Sequence, residues 1–93
     1  MEEIIYYSAL FDYYQNLLTD VQRKYFEDYY FNNLSLQEIA DSYDVSRNAI
    51  SKTLKEIKEK LDYYENILNL YSNKNKIKEI ISIEEFGKIE KYL

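Results

Sequence analysis

Two helix-start signals lie close together in the middle of the chain. Ser35-Leu36-Gln37-Glu38 reads as a capping box, in which the serine hydroxyl accepts a backbone N–H three residues on and the glutamate reaches back to the serine N–H. Ser46 is the next N-cap candidate. Asp44, between them, can adopt the left-handed conformation without being glycine. We therefore predict a helix over residues 36–42, a short turn and a second helix, which is the helix-turn-helix layout.

The apolar residues of residues 35–60 fit this motif. Ala40 lies where two crossing helices must approach closely, and Val45 is expected to fill the turn. Ile50 and Leu54 are expected to face the first helix of the motif. Because such motifs also serve as plain protein modules, the pattern predicts the fold more directly than it predicts DNA binding.

The second helix of the motif is predicted to be long. No stop signal follows Ser46 until Asn73, and apolar residues repeat by four and three along the segment: Ile50, Leu54, Ile57, Leu61, Tyr64, Leu68 and Tyr71. The extension over residues 61–72 has a second apolar face, so it should be covered by helix one, by the C-terminal segment or by a second copy of the chain. We predict a homodimer with four interface residues: Tyr64, Ile67, Leu68 and Tyr71.

Helical patterns also flank the motif in what we interpret as a single domain, residues 1–93. Helix one is predicted over residues 2–17, and a capping box at Thr19 and Gln22 predicts a second helix to about Phe31. A polar break is expected at residues 73–76. The tail, residues 76–93, is predicted to form one or two short helices, the last capped by Ser82 and Glu85.

Composition favours an all-α fold and argues against most catalytic chemistry. The chain has no proline and one glycine, and it has no cysteine and no histidine. Disulfides, thiolate or imidazole metal sites and Cys or His nucleophiles are thereby excluded. Adjacent acidic pairs read as solubilising and capping groups. We expect no catalytic residue, no metal and no cofactor, and a cytoplasmic chain without membrane insertion.

Charge is unevenly distributed along the sequence. Residues 1–45 carry nine acidic and two basic residues, residues 46–60 carry two acidic and five basic ones, and the chain as a whole has a formal charge of −5. The one basic segment is the start of the long helix. A small positive ridge on an acidic body predicts weak, salt-sensitive contact with nucleic acid, or a protein partner.

The candidate nucleic-acid-binding residues lie on one line of this basic segment, opposite Ile50 and Leu54: Arg47, Asn48, Ser51, Lys52 and Lys55. The first two would read base edges and the other three would position the backbone. The alternative is a solvated helix face on an interaction module. The tyrosine pairs could stack bases, but their helical spacing favours core and interface positions: Tyr6-Tyr7, Tyr13-Tyr14, Tyr29-Tyr30 and Tyr63-Tyr64.

Several blocks of the sequence, within residues 8–71, resemble the YlxM family of small bacterial helix-turn-helix proteins. The blocks are Leu10 to Thr19, Gln22-Arg23, Tyr29-Tyr30, Leu34 to Ala40, Val45 to Ile50 and Leu61 to Glu65. The family is similar to the fourth region of sigma factors. The resemblance implies an accessory or regulatory role in the signal recognition particle pathway and no enzymatic activity.

Three functions remain open at this point. The first is an accessory protein that contacts the protein or RNA of the signal recognition particle, or its membrane receptor, as the resemblance implies. The second is a DNA-binding transcription regulator that uses the basic helix face. The third is a dimeric scaffold that binds neither.

Overall fold

Helices account for nearly all of the chain. The computed structural model describes residues 2–81 and 83–92, and within them it contains six α-helices, two short 3-10 turns and no strand. The helices are α1 (Glu2–Tyr14), α2 (Asp20–Tyr30), α3 (Leu36–Tyr43), α4 (Arg47–Leu68), α5 (Leu70–Ile80) and α6 (Ile83–Ile89). The predicted all-α helix-turn-helix fold with a long helix and short C-terminal helices is confirmed.

The predicted N-caps form as hydrogen bonds. In the two capping boxes, the hydroxyls of Thr19 and Ser35 each accept the backbone N–H three residues on, at 3.1 Å, and both return bonds are present. The Ser46 hydroxyl accepts the N–H of Ala49 at 3.0 Å. Each cap satisfies N–H groups that the first turn of a helix leaves without an intrahelical partner. The three helices of the motif region therefore start where local chemistry predicts.

The turn of the motif is a left-handed residue, as predicted. Asp44 has φ 55° and ψ 46°, and its N–H donates back to the carbonyl of Ala40. The N–H of Val45 donates to the same carbonyl at 3.0 Å. The prediction that Val45 fills the turn is wrong: its side chain is 41% exposed, because the backbone bonds close the turn without it.

One apolar core holds the first four helices together. Its buried members come from α1 and the residues after it, from α2, from α3 and from the first two-thirds of α4: Leu10, Phe11, Tyr14, Leu18, Tyr25, Phe26, Ile39, Ala40, Ile50, Leu54, Ile57 and Leu61. Helices α1, α2 and α3 all pack against α4, which is the central element of an elongated molecule measuring 49 × 24 × 22 Å. The buried side of α4 thereby fixes which side remains exposed.

Adjacent tyrosines divide between the core and the surface. In each of the four pairs, the second tyrosine is the more buried: Tyr7, Tyr14, Tyr30 and Tyr64. Successive residues of a helix point about 100° apart, so only one of two neighbours can face the core fully. The predicted core position is therefore confirmed for the second member of each pair and also for Tyr13, which packs against the core.

The long helix ends earlier than the sequence predicts. Helix α4 stops at Leu68, Asn69 adopts the left-handed conformation (φ 54°, ψ 29°), and α5 begins at once. The predicted extension over residues 61–72 is thus divided between two helices. The polar break expected at residues 73–76 is wrong as well, because those residues lie inside α5.

A buried carboxylate explains the break at Asn69. Glu65 is only 9% exposed, and its carboxylate oxygens accept the N–H groups of Tyr71 at 3.2 Å and Ser72 at 3.0 Å. The Tyr14 hydroxyl donates to Glu65 at 2.6 Å and accepts the N–H of Leu70 at 3.2 Å. These contacts supply partners for the first three N–H groups of α5, where the Asn69 side chain makes no cap.

Helices α5 and α6 form a C-terminal arm. Helix α5 packs against α1 and α4, and α6 packs against α5. Phe86 of α6 is buried, and Lys74 of α5 forms an ion pair with Glu90 at 3.3 Å. Helix α6 thus packs on α5. The capping box predicted at Ser82 lies outside the described residues.

The sequence predicted that the later part of α4 would be covered on two sides, but the structure covers only one of them. Tyr64 and the α5 residue Tyr71 pack against the core. In contrast, Tyr63 is 62% exposed, Ile67 57% and Leu68 45%. Because the chain turns at Asn69, α5 packs along α1 and leaves this flank of α4 open within the single chain.

Candidate nucleic-acid interface

The start of α4 is fixed by its N-cap and by two core residues. Ser46 caps its first turn, and Ile50 and Leu54 anchor the next turns in the core. Positions three and four residues apart share a face of an α-helix, so the side opposite this anchor points outward. A rigid, capped helix start with one free side is the arrangement that helix-turn-helix proteins present to a partner.

All five predicted nucleic-acid-binding side chains are accessible at the start of α4. The structure leaves each of them exposed: Arg47, Asn48, Ser51, Lys52 and Lys55. No side-chain hydrogen bond or ion pair engages any of the five within the part of the chain that the structure describes. The donors and positive charges of this set, which we call the basic face, are therefore available to an external acceptor.

Chemically, the basic face offers two kinds of contact. Guanidinium and amide groups, at Arg47 and Asn48, can form paired hydrogen bonds with base edges. The ammonium groups of Lys52 and Lys55 and the hydroxyl of Ser51 suit phosphate oxygens. The face is small, since the three cations occupy a little over two turns of one helix.

A groove that sequence reasoning did not identify borders the basic face. It has a volume of about 220 Å³ and lies between α2, α3 and α4. Its lining consists of Tyr29, Tyr30, Leu36, Ser51, Leu54, Lys55 and Lys58. Two of these residues belong to the basic face. The tyrosine pair was a visible signal, but only the packing of α2 beside α4 brings it next to the lysines.

Lys58 connects this groove to the N-terminus of the chain. Its ammonium group forms an ion pair with Glu3 and lies 5.8 Å from the centre of the Tyr30 ring. Burial alone would lower the pKa of Lys58, but the Glu3 carboxylate and the Tyr30 phenol outweigh burial and raise it. Lys58 is therefore a charged residue with internal partners, whereas Lys55 is free.

The four predicted dimer-interface residues do not form one equivalent set. The Tyr64 hydroxyl donates to the carbonyl of Leu17 at 3.4 Å, and the Tyr71 ring packs edge-on against Tyr6 at 5.8 Å. Ile67 is 57% exposed and Leu68 is 45% exposed. Tyr64 and Tyr71 thus already contact other residues of the chain, whereas Ile67 and Leu68 belong to an exposed apolar flank.

Within residues 2–81 and 83–92, no group of three or more acidic side chains is arranged to hold a metal ion. None of the helices over the same residues is long and apolar enough to span a bilayer.

Comparison with known proteins gives a consistent family. A family model described as "Putative helix-turn-helix protein, YlxM / p13 like", UPF0122, matches residues 1–91. A UPF0122 protein of Halalkalibacterium halodurans is 41% identical over 81 residues, which cover 87% of this chain and 74% of the relative. A UPF0122 protein of Malacoplasma penetrans is 49% identical over 73 residues, covering 78% and 68%.

A third relative covers a larger share of the chain. A UPF0122 protein of Bacillus thuringiensis is 39% identical over 92 residues, which cover 91% of this chain and 84% of the relative. The family model, over residues 1–91, includes the C-terminal arm as well as the motif, a larger part of the chain than the sequence blocks had indicated. The chain belongs to the UPF0122 family of YlxM/p13-like helix-turn-helix proteins.

Proposed function

We propose that this protein is a non-enzymatic, cytoplasmic accessory protein of the signal recognition particle that contacts nucleic acid through the basic face of α4. The observation that carries the proposal is the exposure of all five side chains of that face on a helix whose opposite side is buried. Polar groups without internal partners, held on a rigid helix, are poised for intermolecular hydrogen bonds.

Position along the helix suggests a role for each residue. Arg47 and Asn48 belong to the first turn, the part of a recognition helix that meets base edges. Ser51, Lys52 and Lys55 follow on the same side and would hold the sugar-phosphate backbone. With three cations, the interaction should be weak and strongly salt-dependent.

The signal recognition particle enters the proposal through the family resemblance. The acidic remainder of the chain, which carries most of its 17 acidic residues, also favours a basic protein partner. An accessory protein could therefore use two surfaces, with the basic face on the RNA and the acidic body on the particle's protein or on its receptor.

A DNA-binding transcription regulator is the second candidate. The capped, protruding start of α4 after a short left-handed turn favours it, because helix-turn-helix proteins present such a helix to the major groove. This reading requires a preferred duplex sequence at physiological salt, whereas the accessory role does not.

The experiment that tests the proposal measures binding of the full chain to fluorescein-labelled RNA of the particle, to the particle's protein and to random duplex DNA. We expect binding to particle components and not to random duplex. The double variant Lys52→Glu/Lys55→Glu should weaken RNA binding severely, and the binding that remains at low salt should show a slope of log affinity against log salt reduced by about 2.

A matched control makes the same change of charge elsewhere. Lys76 and Lys88 are exposed and lie on the C-terminal arm, so Lys76→Glu/Lys88→Glu should leave RNA binding within about twofold of wild type if position matters. Equal losses of RNA affinity in both variants would show that net charge, and not the position of the lysines, causes the effect. Unchanged binding in the first variant would discard the basic face as the contact surface.

We also propose that the chain self-associates through Tyr64, Ile67, Leu68 and Tyr71. The exposed flank of α4 supports this, because Ile67 and Leu68 lie next to the exposed ring of Tyr63 along one helix end. Light scattering at tens of micromolar should give the mass of a dimer, and Ile67→Glu should give a monomer. Ile80→Glu, at another exposed isoleucine, is the control. A monomeric wild-type mass would remove the dimer.

A further inference from the structure

The groove beside the basic face has an aromatic wall that is only partly used. The Tyr29 and Tyr30 rings meet edge to face, with centroids 5.1 Å apart and planes at 81°. Tyr29 is 38% exposed, so part of its ring remains open to solvent. An exposed aromatic face next to lysines is a recurrent feature of surfaces that bind single-stranded nucleic acid.

The aromatic wall is rigid because it ends a stack that begins in the core. Tyr30 stacks on Phe26, with ring centroids 4.5 Å apart, and Phe26 stacks on Phe11 at 4.4 Å with nearly parallel planes. Phe26 is fully buried. A ligand that packs on Tyr29 would therefore meet a fixed surface, which lowers the entropy lost on binding.

The remaining lining is apolar at its base and positive at its rim. Leu54 is buried and Leu36 half-buried, whereas Ser51 and Lys55 are exposed. Among the side chains that the structure describes, the lining contains no carboxylate, in a chain whose formal charge is −5. This local sign favours an anionic ligand, and an ammonium next to a hydroxyl suits a phosphate group.

Size restricts the occupant further. A volume of about 220 Å³ is below the 300–1,000 Å³ typical of pockets that enclose drug-sized ligands. One planar ring system fits this scale, while its sugar and phosphate would lie outside, along the rim. A base inside an intact duplex is stacked on both faces and could not enter.

We propose that this groove binds one unpaired nucleobase of a single-stranded segment, stacked on Tyr29, with the adjoining phosphate on Lys55 and Ser51. The inference rests on the proposed nucleic-acid contact and adds a preference for unpaired over fully paired strands. The basic face would hold the flanking backbone, and the groove would select positions where a base is free to turn outward.

Fluorescence anisotropy of labelled oligonucleotides with the full chain tests this. The probes are single-stranded adenylate RNA and DNA of about ten nucleotides, within the site sizes of single-strand binders, and a fully paired RNA hairpin stem. We expect tighter binding to the single strands. Tyr29→Ala should weaken that binding by about 5- to 150-fold, the range for loss of one stacked base, and leave the weaker stem binding unchanged.

Two variants control for folding and for loss of any tyrosine. Tyr29→Phe keeps the ring and should bind within about twofold of wild type. Tyr63→Ala removes an exposed ring that also meets its neighbour edge to face but does not line the groove, and single-strand binding should not change. Circular-dichroism melting identifies any variant that is unfolded. If Tyr29→Ala is, Tyr29→Leu, which keeps apolar bulk without the ring, carries the comparison and should show the same loss of single-strand binding.

The outcomes separate this inference from the proposed function. If wild type binds stem and single strands equally and Tyr29→Ala has no effect, the proposal that the groove binds an unpaired base is wrong, and the proposal for the basic face is unaffected. If wild type binds no nucleic acid but a labelled acidic tyrosine peptide binds in a Tyr29-dependent way, both proposals fail and the groove is a protein site. If RNA and DNA single strands bind with different affinities and both depend on Tyr29, the result supports the groove and identifies the preferred nucleic acid.

Discussion

Two turns of this molecule use the same backbone conformation but are held by different means. Asp44 links α3 to α4 and Asn69 links α4 to α5, and both are left-handed with φ near 55°. Around Asp44, the backbone hydrogen bonds of the turn and the Ser46 cap all join residues within a few positions of one another. Around Asn69, the start of α5 is capped by Glu65 and by Tyr14, which belongs to α1.

The difference teaches that a local turn and a tertiary turn fail in different ways. The motif turn should survive rearrangement of distant helices, because its donors and acceptors lie within one short segment. The turn at Asn69 depends on a carboxylate kept in a buried site. That site is stable only because the carboxylate accepts three hydrogen bonds. A substitution at Tyr14, which is far from the turn in sequence, can therefore weaken it.

The largest effect should come from Glu65→Ala. The variant leaves the Tyr14 hydroxyl and the N–H groups of Tyr71 and Ser72 without their partner, and the free energy of unfolding should fall by about 2–4 kcal/mol. Urea denaturation measures the loss, and hydrogen exchange should locate it at the start of α5. Glu59→Ala, at an exposed position of the same helix, should change stability by less than about 0.5 kcal/mol. Equal effects would refute the tertiary cap.

Alkaline pH tests the same cluster from the α1 side. Burial, and next the hydrogen bond to Glu65, raises the pKa of Tyr14 to about 12. An unfolded tyrosine ionises near pH 10, so between these values the unfolded state binds fewer protons and the free energy of unfolding falls as pH rises. We expect Tyr14 to contribute up to about 2 kcal/mol to this fall across pH 10–12.

Tyr14→Phe, compared with wild type by urea denaturation at each pH, isolates that contribution. Its stability should be lower than wild type below pH 10, and its decline above pH 10 should be shallower. Tyr7→Phe should also reduce the decline, because burial, followed by the hydrogen bond to Asp62, raises the pKa of Tyr7 to about 12. Identical pH profiles for Tyr14→Phe and wild type would contradict the assignment.

Removing the local cap should have a smaller effect. Ser46→Ala loses the hydrogen bond to the N–H of Ala49 and should lower the free energy of unfolding by about 1 kcal/mol. Ser42→Ala is the matched control: the Ser42 hydroxyl donates to a carbonyl of its own helix, and alanine is the better helix former. A loss at Ser42 as large as that at Ser46 would show that the cap is not the cause.

The smallest effect should be common to both turns. Asp44→Gly and Asn69→Gly each remove the steric cost of a left-handed residue and should raise the free energy of unfolding by about 0.5 kcal/mol. Thermal unfolding of both variants measures it. If one variant is more stable and the other less stable than wild type, then at the second turn the interactions of the native side chain stabilise the fold by more than its left-handed conformation costs.

Much of the candidate site could be predicted from sequence because it depends on one helix. The four-residue spacing of Arg47, Ser51 and Lys55 aligns them along the helix by periodicity, and the structure exposes these three and buries Ile50 and Leu54. The groove could not be predicted in this way. Tyr29 and Tyr30 line the same groove as Lys55 only because α2 packs beside α4, and the spacing of residues along the chain does not predict this packing.

The sequence by itself determined the all-α fold, the start of each helix from α2 to α4 and the polarity of the basic face. Those features arise from caps, left-handed residues and periodicity that act within a few positions. Only the tertiary structure decided where α4 ends, which tyrosine of each pair is buried and how Glu65 becomes a cap. The physical reason is that each of these depends on groups from helices distant in sequence, whose desolvation and hydrogen bonding are settled together when the helices pack.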